Sequence, residues 1–441
     1  YARLYDGISS GKYANIEVMD KIEPNATIKL SGTTVEVGET LTAEITQTDE
    51  GSGVDINKTK WVLNTEAGNI GTEASSYTGG TFTKTPETII LPTEIAGTYY
   101  LHVLTVDNAG NKKEVISSVA TIKKKEWDLS KVDKIESADG ITVPVPKGYT
   151  ASSVASENAV KDGFVIYEGI EAVTEENLKT AQTTRNQFVW VPVENVHDMY
   201  GKDKEGKRWG KLYNFSENGI TPVNWTEKDG VISITSLSNY REPDIVNNDS
   251  SNSVTISQLE TEFNNMISSV ERYGGFYIGR YEMGNLSQNE AVVLKNNSDI
   301  NNQTWYTMYN KAKGIAANNN VTTTMVWGSQ WDAVMRWMYN SGNAIKKKYT
   351  YSSTDKGNYS DKKGGLIETG IVETYAVNNI YDMAGNVSEL TIEVFRSNNA
   401  RTERGGGYYY VNPLPVSYRE FSNISSSIIS KNEGSRVALY M

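Results

Sequence analysis

Cysteine is absent from the 441 residues, which excludes disulfides, thiolate nucleophiles, zinc ribbons and iron–sulfur ligation together. Histidine is nearly absent. His102 and His197 are the only two and lie far apart, which argues against histidine metal sites and Ser/His/Asp relays. No run of about 18 apolar residues occurs, so no segment reads as a membrane-spanning helix. Basic residues are fewer than acidic ones, 43 against 54, for a formal charge of −11. That balance argues against a nucleic-acid clamp or a polybasic membrane-surface protein. The first residue is Tyr1 and no signal-peptide pattern precedes it, so the chain reads as a processed or truncated product that has lost its address or anchor.

What is present is aromatic and globular. Hydrophobic residues make up 38%, with 27 Tyr, 9 Trp and 8 Phe, too much for a disordered chain, and the length suggests two to four domains. Residues 23–125 read as an all-β sandwich. Short Thr-, Val-, Ile- and Tyr-rich runs at 26–30, 34–37, 41–46 and 99–106 alternate with turn clusters at 31–32, 49–53 and 107–110. Residues 1–22 read as the tail of a preceding module or stalk. The charge-dense stretch 123–136 reads as a linker or one short helix, and the linker, placed at 126–141, is the favoured reading. From 142 to 441 the chain reads as one large α+β unit. It has strand candidates at 163–168, 187–193, 276–282 and 437–440, and helical periodicity at 258–271 and 331–339.

The most specific segment is NIYDMAGNVSEL at 379–390, followed by RGGGY at 404–408 and GSRVAL at 434–439. In that order these resemble the formylglycine-generating-enzyme (sulfatase-modifying factor) family. GGFYIGRYEMG at 274–284, TTMVWGSQW at 323–331 and FVWVPV at 188–193 add to the resemblance. It implies a C-type-lectin-like fold over about 142–441. The family's oxidation of a substrate cysteine uses active-site cysteines, so their absence excludes that activity. The family's W-E-W core is replaced by Ser388-Glu389-Leu390, so another segment must fill that volume, or the core is looser there.

Asp382 and Glu389 bracket a tight turn at Gly385, and mixed carboxylate and carbonyl sets suit Ca²⁺. Matched to the family's calcium site, the ligands would be the side chains of Asp382 and Glu389 with the backbone of Gly385 and Val387. The other reading is a turn whose two carboxylates are merely solvated or hydrogen-bonded. Arg404, Arg419 and Arg436 are expected to be structural, buried in bidentate hydrogen bonds, rather than ligand contacts. Gly405–Gly407 need not cradle phosphate, because no strand–loop–helix context follows them.

Between Gly407 and Gly434 lies a Tyr-, Ser- and Asn-rich stretch whose chemistry is that of antibody paratopes. Its position resembles that of the variable residues in C-type-lectin-like proteins diversified by retroelements. The candidate ligand-binding residues are Tyr408, Tyr409, Tyr410, Asn412, Tyr418, Phe421 and Asn423. Gly51-Ser-Gly-Val-Asp55 and Val106-Asp-Asn-Ala-Gly-Asn111 resemble bacterial immunoglobulin-like repeats, their acidic turns being read as turn formers before ion ligands.

These readings favour a non-enzymatic adhesion- or receptor-type protein at the bacterial cell surface. Its partner would be a protein or glycan on another cell or surface, with no nucleic acid, and a fibre or oligomer is compatible. The alternatives are a structural pilus or surface-layer subunit and, less favoured, a degenerate oxidase-like enzyme using carboxylates such as Glu282 and Asp382.

Overall fold

The computed structural model describes residues 2–3, 13–14 and 20–441, apart from 229, 236–237, 288–289, 300, 316–319, 353–355, 361–364 and 423–429. It divides into two compact units, Tyr1–Lys124 and Lys125–Met441. The chain is mixed α+β, with strands predominating. Of the stretch 1–22, the described parts are residues 20–22 and two short strands, Ala2–Arg3 and Tyr13–Ala14, paired antiparallel.

The first unit is built from two sheets. In one, Leu41–Thr48 lies between Asn25–Leu30 and Glu87–Leu91, all antiparallel. Leu41–Thr48 buries alternate residues, Leu41, Ala43, Ile45 and Gln47, as a strand with one packed face must. The second sheet is centred on Gly97–Val106. Leu101 and Val103 on one side of that strand join the core with Ala26, Leu41, Ala43, Ile45 and Leu91 from the other sheet. Leu104 and Val106, on its opposite side, pack with Val62 and Tyr77. His102 shares that opposite side, fully buried. Glu114 Oε1 lies 2.6 Å from its Nδ1, and the Glu66 carbonyl 2.9 Å from its Nε2.

The second unit carries a six-stranded antiparallel sheet in the order Tyr149–Ala151, Val165–Glu168, Gln187–Pro192, Gly275–Gly279, Val437–Tyr440, Thr322–Met325. Helix Ile256–Tyr273 buries Leu259, Phe263, Met266, Ile267, Val270 and Tyr273, a stripe at three- and four-residue spacing. Thr255 Oγ1 caps its start by accepting from the Gln258 N–H at 3.1 Å. Gly274 ends it at φ +80°, a conformation glycine adopts without steric cost.

Residues 126–141, expected as a linker, belong to this unit instead. Val132–Glu136 pairs antiparallel with Thr142–Pro146, and Val132 is buried in the main core. The charges that suggest a linker sit on the exposed positions of a two-stranded ribbon, where they limit further edge pairing.

A second sheet of the unit positions the candidate site. Its order is Tyr240–Arg241, Ser388–Phe395, Ala400–Arg404, Arg419–Ser422, with Glu433–Ser435 running parallel to Ser388–Phe395. The register places Arg404 opposite Arg419 and Glu403 opposite Glu420. Because side chains alternate along a strand, the two arginines share one face and the two glutamates the other.

Candidate functional site

The arginine face is closed by ion pairs. Asp332, on helix Gly328–Asn340, pairs with Arg404 through Oδ1 and with Arg419 through Oδ2 at 2.8 Å. Glu393 completes the square, 3.2 Å from Arg404 and 2.8 Å from Arg419. Asp332 Oδ2 also accepts from the Tyr213 N–H at 2.8 Å. Glu242 caps the same helix, accepting from the N–H groups of Gly328 and Ser329 at 2.7 and 2.8 Å. Burial, with the Glu393 charge beside it, raises the Glu242 carboxyl to about 7.

Arg436 forms a separate buried pair. Its Nε lies 3.1 Å from both oxygens of Glu389 and its Nη2 2.5 Å from Oε1, while the guanidinium also donates to the carbonyls of Gly279 and Tyr381. Two side chains of the expected calcium quartet, Glu389 and Asp382, have hydrogen-bond partners here. Glu389 has both oxygens engaged by a cation, and Asp382 Oδ2 accepts from Thr369 Oγ1 and the Gly370 N–H. Asp382 Oδ1 is buried without a hydrogen-bond partner, as is Asp299 Oδ1.

The sequence reading missed Asp299, which adjoins this turn. Asn386 Nδ2 donates to both Glu282 Oε2 (2.7 Å) and Asp299 Oδ2 (2.9 Å). Burial and the neighbouring carboxylates push both acids well above their ordinary values. Glu282 and Asp382 are both buried.

The turn Gly405–Gly407 brings the chain back over the glutamate face. Gly405 and Gly406 have φ of +78° and +71°, and a Cβ on Gly405 would sit 2.3 Å from the Met383 carbonyl, so only glycine fits there. The next three residues lay their rings in a row. Ring centroids are 5.9 Å apart for Tyr408–Tyr409, 4.4 Å for Tyr409–Tyr410 and 5.8 Å for Tyr410–Tyr418. The Tyr409 hydroxyl meets Ser388 Oγ at 2.9 Å. Tyr408 donates to Asn432 Oδ1 at 2.9 Å, and Tyr410 and Tyr418 both donate to Glu420 Oε2, Tyr418 at 3.1 Å.

The structure thus gathers four of the seven candidate residues: Tyr408, Tyr409, Tyr410 and Tyr418, with Tyr409 36% exposed and the others half-buried. Asn412 is exposed on the intervening loop. Phe421 is a correction. Strand alternation turns it to the arginine face, where it stacks on Phe395 at 4.6 Å, away from the tyrosines. Asn423 lies outside the described residues.

Three acids were not read from the sequence as part of this surface: Glu403, Glu420 and Glu433. Glu403 is 7% exposed, and burial with Glu433 and Glu420 beside it raises its carboxyl to about 8. Glu433 accepts from Ser422 Oγ at 2.7 Å and is also raised by burial. The signal was present as inverted dipeptides, Glu403-Arg404 and Arg419-Glu420, but it becomes legible only with the cross-strand register.

In the first unit Asp20, Asp49 and Asp107 bring one oxygen each within 4.8 Å of one another. Asp20 accepts from the Ile22 and Ser52 N–H groups, Asp49 from those of Gly51 and Gly53, and Asp107 from that of Asn111. Each carboxylate thus organises a turn.

No family model and no curated protein matches the chain. Among solved structures it is similar to a mutant of the SrpA adhesin from Streptococcus sanguinis, at 12% identity and a TM-score of 0.16. The match covers 49% of this chain and 94% of that one, and a likeness this slight carries no argument.

Proposed function

We propose that the chain is a non-enzymatic ligand-binding protein of the bacterial cell surface, of adhesion or receptor type. In this reading the first unit is an immunoglobulin-like stalk domain. The second is a C-type-lectin-like head related to the formylglycine-generating enzymes and close in design to retroelement-diversified proteins. Its ligand is a protein or glycan on another surface. The observation that carries the reading is the row of four tyrosines on a sheet whose opposite face is locked by buried ion pairs. Rings with few rotatable bonds, presented on a rigid support, give contact area at low entropic cost. The burial of Glu282 and Asp382 supports the non-enzymatic part. Among the described residues, no helix is long and apolar enough to cross a membrane.

The test is a screen of glycan and host-protein arrays with the wild-type chain and the Y408A/Y409A/Y410A variant. The reading expects wild-type ligands to be lost in the variant. A variant that keeps every ligand of its parent ends the assignment of this surface.

A further inference from the structure

The tyrosine row is underlain by charge of one sign. Glu403 and Glu420 face each other across the strands Ala400–Arg404 and Arg419–Ser422, and Glu433 bears on Glu403 from the strand Glu433–Ser435. Among the described residues none of the three makes an ion pair, and the neighbouring stretch 423–429, NISSSII, contains no charged residue. The other face of the same sheet differs, because there Asp332 and Glu393 each meet two arginines.

We propose that this surface binds a cationic side chain, lysine or arginine, of a partner protein, with the tyrosine rings against its stem and the glutamates on its charge. The proposal rests on the reading of the tyrosine surface given above and names the chemistry of its ligand. Two physical terms act together here. Aromatic faces attract a cation through their quadrupole, and carboxylates accept its N–H groups in charge-assisted hydrogen bonds. Tyr410 and Tyr418 already hold Glu420 Oε2 in place with their hydroxyls, so the acceptor is pre-oriented. An anionic ligand, such as an acidic glycan, would meet like charge and is disfavoured.

The protonation of Glu403 supports the assignment. Glu420, Glu433 and the hydroxyls of Tyr409 and Tyr418 bear on it, while Arg401, on the same side of the strand, is engaged by Asp249. At neutral pH it therefore retains much of its proton, which an arriving cation displaces. Binding accordingly tightens as pH rises from 6 to 9, a range in which lysine stays charged.

The experiment uses the full chain and three probes at low ionic strength: tetralysine, tetralysine with every amine acetylated, and tetraglutamate. The four proteins are wild type, E403Q/E420Q, Y408A/Y409A/Y410A, and E175Q/E176Q as a control that removes at least as much charge at exposed residues. The expected result is that wild type and control bind tetralysine alike. E403Q/E420Q should bind at least tenfold more weakly, and neither acetylated tetralysine nor tetraglutamate should bind. Equal weakening in the control, unchanged binding by E403Q/E420Q, or binding of the acetylated peptide overturns the proposal. Should E403Q/E420Q fail to fold, E420Q alone carries the test, since Glu420 is half-buried at the surface. The tyrosine variant separates the two claims. If it loses array ligands that E403Q/E420Q retains, the surface binds but not through a cation. If both retain them, the binding surface itself is wrongly placed.

Discussion

The two faces of one sheet handle carboxylates in opposite ways. On one, Asp332 and Glu393 are matched by Arg404 and Arg419, and all four are buried. On the other, Glu403, Glu420 and Glu433 have tyrosine and serine hydroxyls for company and no cation. A buried charge is tolerated where a partner with good geometry meets it. Burial without one raises a carboxyl, as it does Glu403 and Glu433. The first face therefore serves the fold, and the second is set up to take something from outside.

The sharpest way to break this comparison is to remove a partner from the matched face. D332A leaves two buried guanidiniums to share Glu393 alone and takes the acceptor from the Tyr213 N–H, and should cost about 3–5 kcal/mol in urea unfolding of the second unit. A cost no larger than that of E420Q would erase the distinction.

The next effect is on pH. Glu403 has an ordinary value of 4.5 and is held at about 8 in the fold, and Glu242 is held at about 7. Across that window the folded chain keeps protons the unfolded chain has released. Stability therefore falls as pH rises from about 4.5 to 8 and levels off above. Each such group contributes up to about 1.4 kcal/mol per pH unit. E403Q should flatten part of this slope and leave the part due to Glu242. A thermal-melt series at pH 5, 7 and 9 that shows the same slope in both proteins would place the proton elsewhere.

Smaller effects sharpen the picture of the glutamate face. Y409F loses the hydroxyl contact with Ser388 and should cost about 1 kcal/mol by urea unfolding, with the ring kept in place. E420Q, at the exposed edge, should change stability by no more than about 0.5 kcal/mol. A loss of several kcal/mol in E420Q would mean that Glu420 is a structural residue like Glu393.

Much of the framework was legible in the sequence because it follows from local periodicity. The helix expected at 258–271 spans Ile256–Tyr273, and that expected at 331–339 spans Gly328–Asn340. The strand expected at 187–193 spans Gln187–Pro192. What failed depended on distant partners. The charged run at 126–141 conceals a strand because its pairing segment begins after it, at Thr142. Nothing local to Glu389 marks its pairing with Arg436, 47 residues on. Phe421 shares composition with the tyrosine loop but not its side of the sheet. Glu403 and Glu420 could not be paired before the register was known.

The inverted dipeptides carry a consequence for how the chain reaches this arrangement. Sliding Arg419–Ser422 by one residue along Ala400–Arg404 would set Arg419 opposite Glu403, or Glu420 opposite Arg404, and turn the sliding strand over. Judged by neighbouring strands alone, the slipped pairing is the better one, since unlike charges then meet across the ladder. Asp332 and Glu393 reverse that preference, by offering the arginines a richer set of bonds on one side, and the stacking of Phe421 on Phe395 favours the same alignment. The buried square thus selects the register as well as holding it, and a chain deprived of Asp332 has less to tell the true alignment from a counterfeit one.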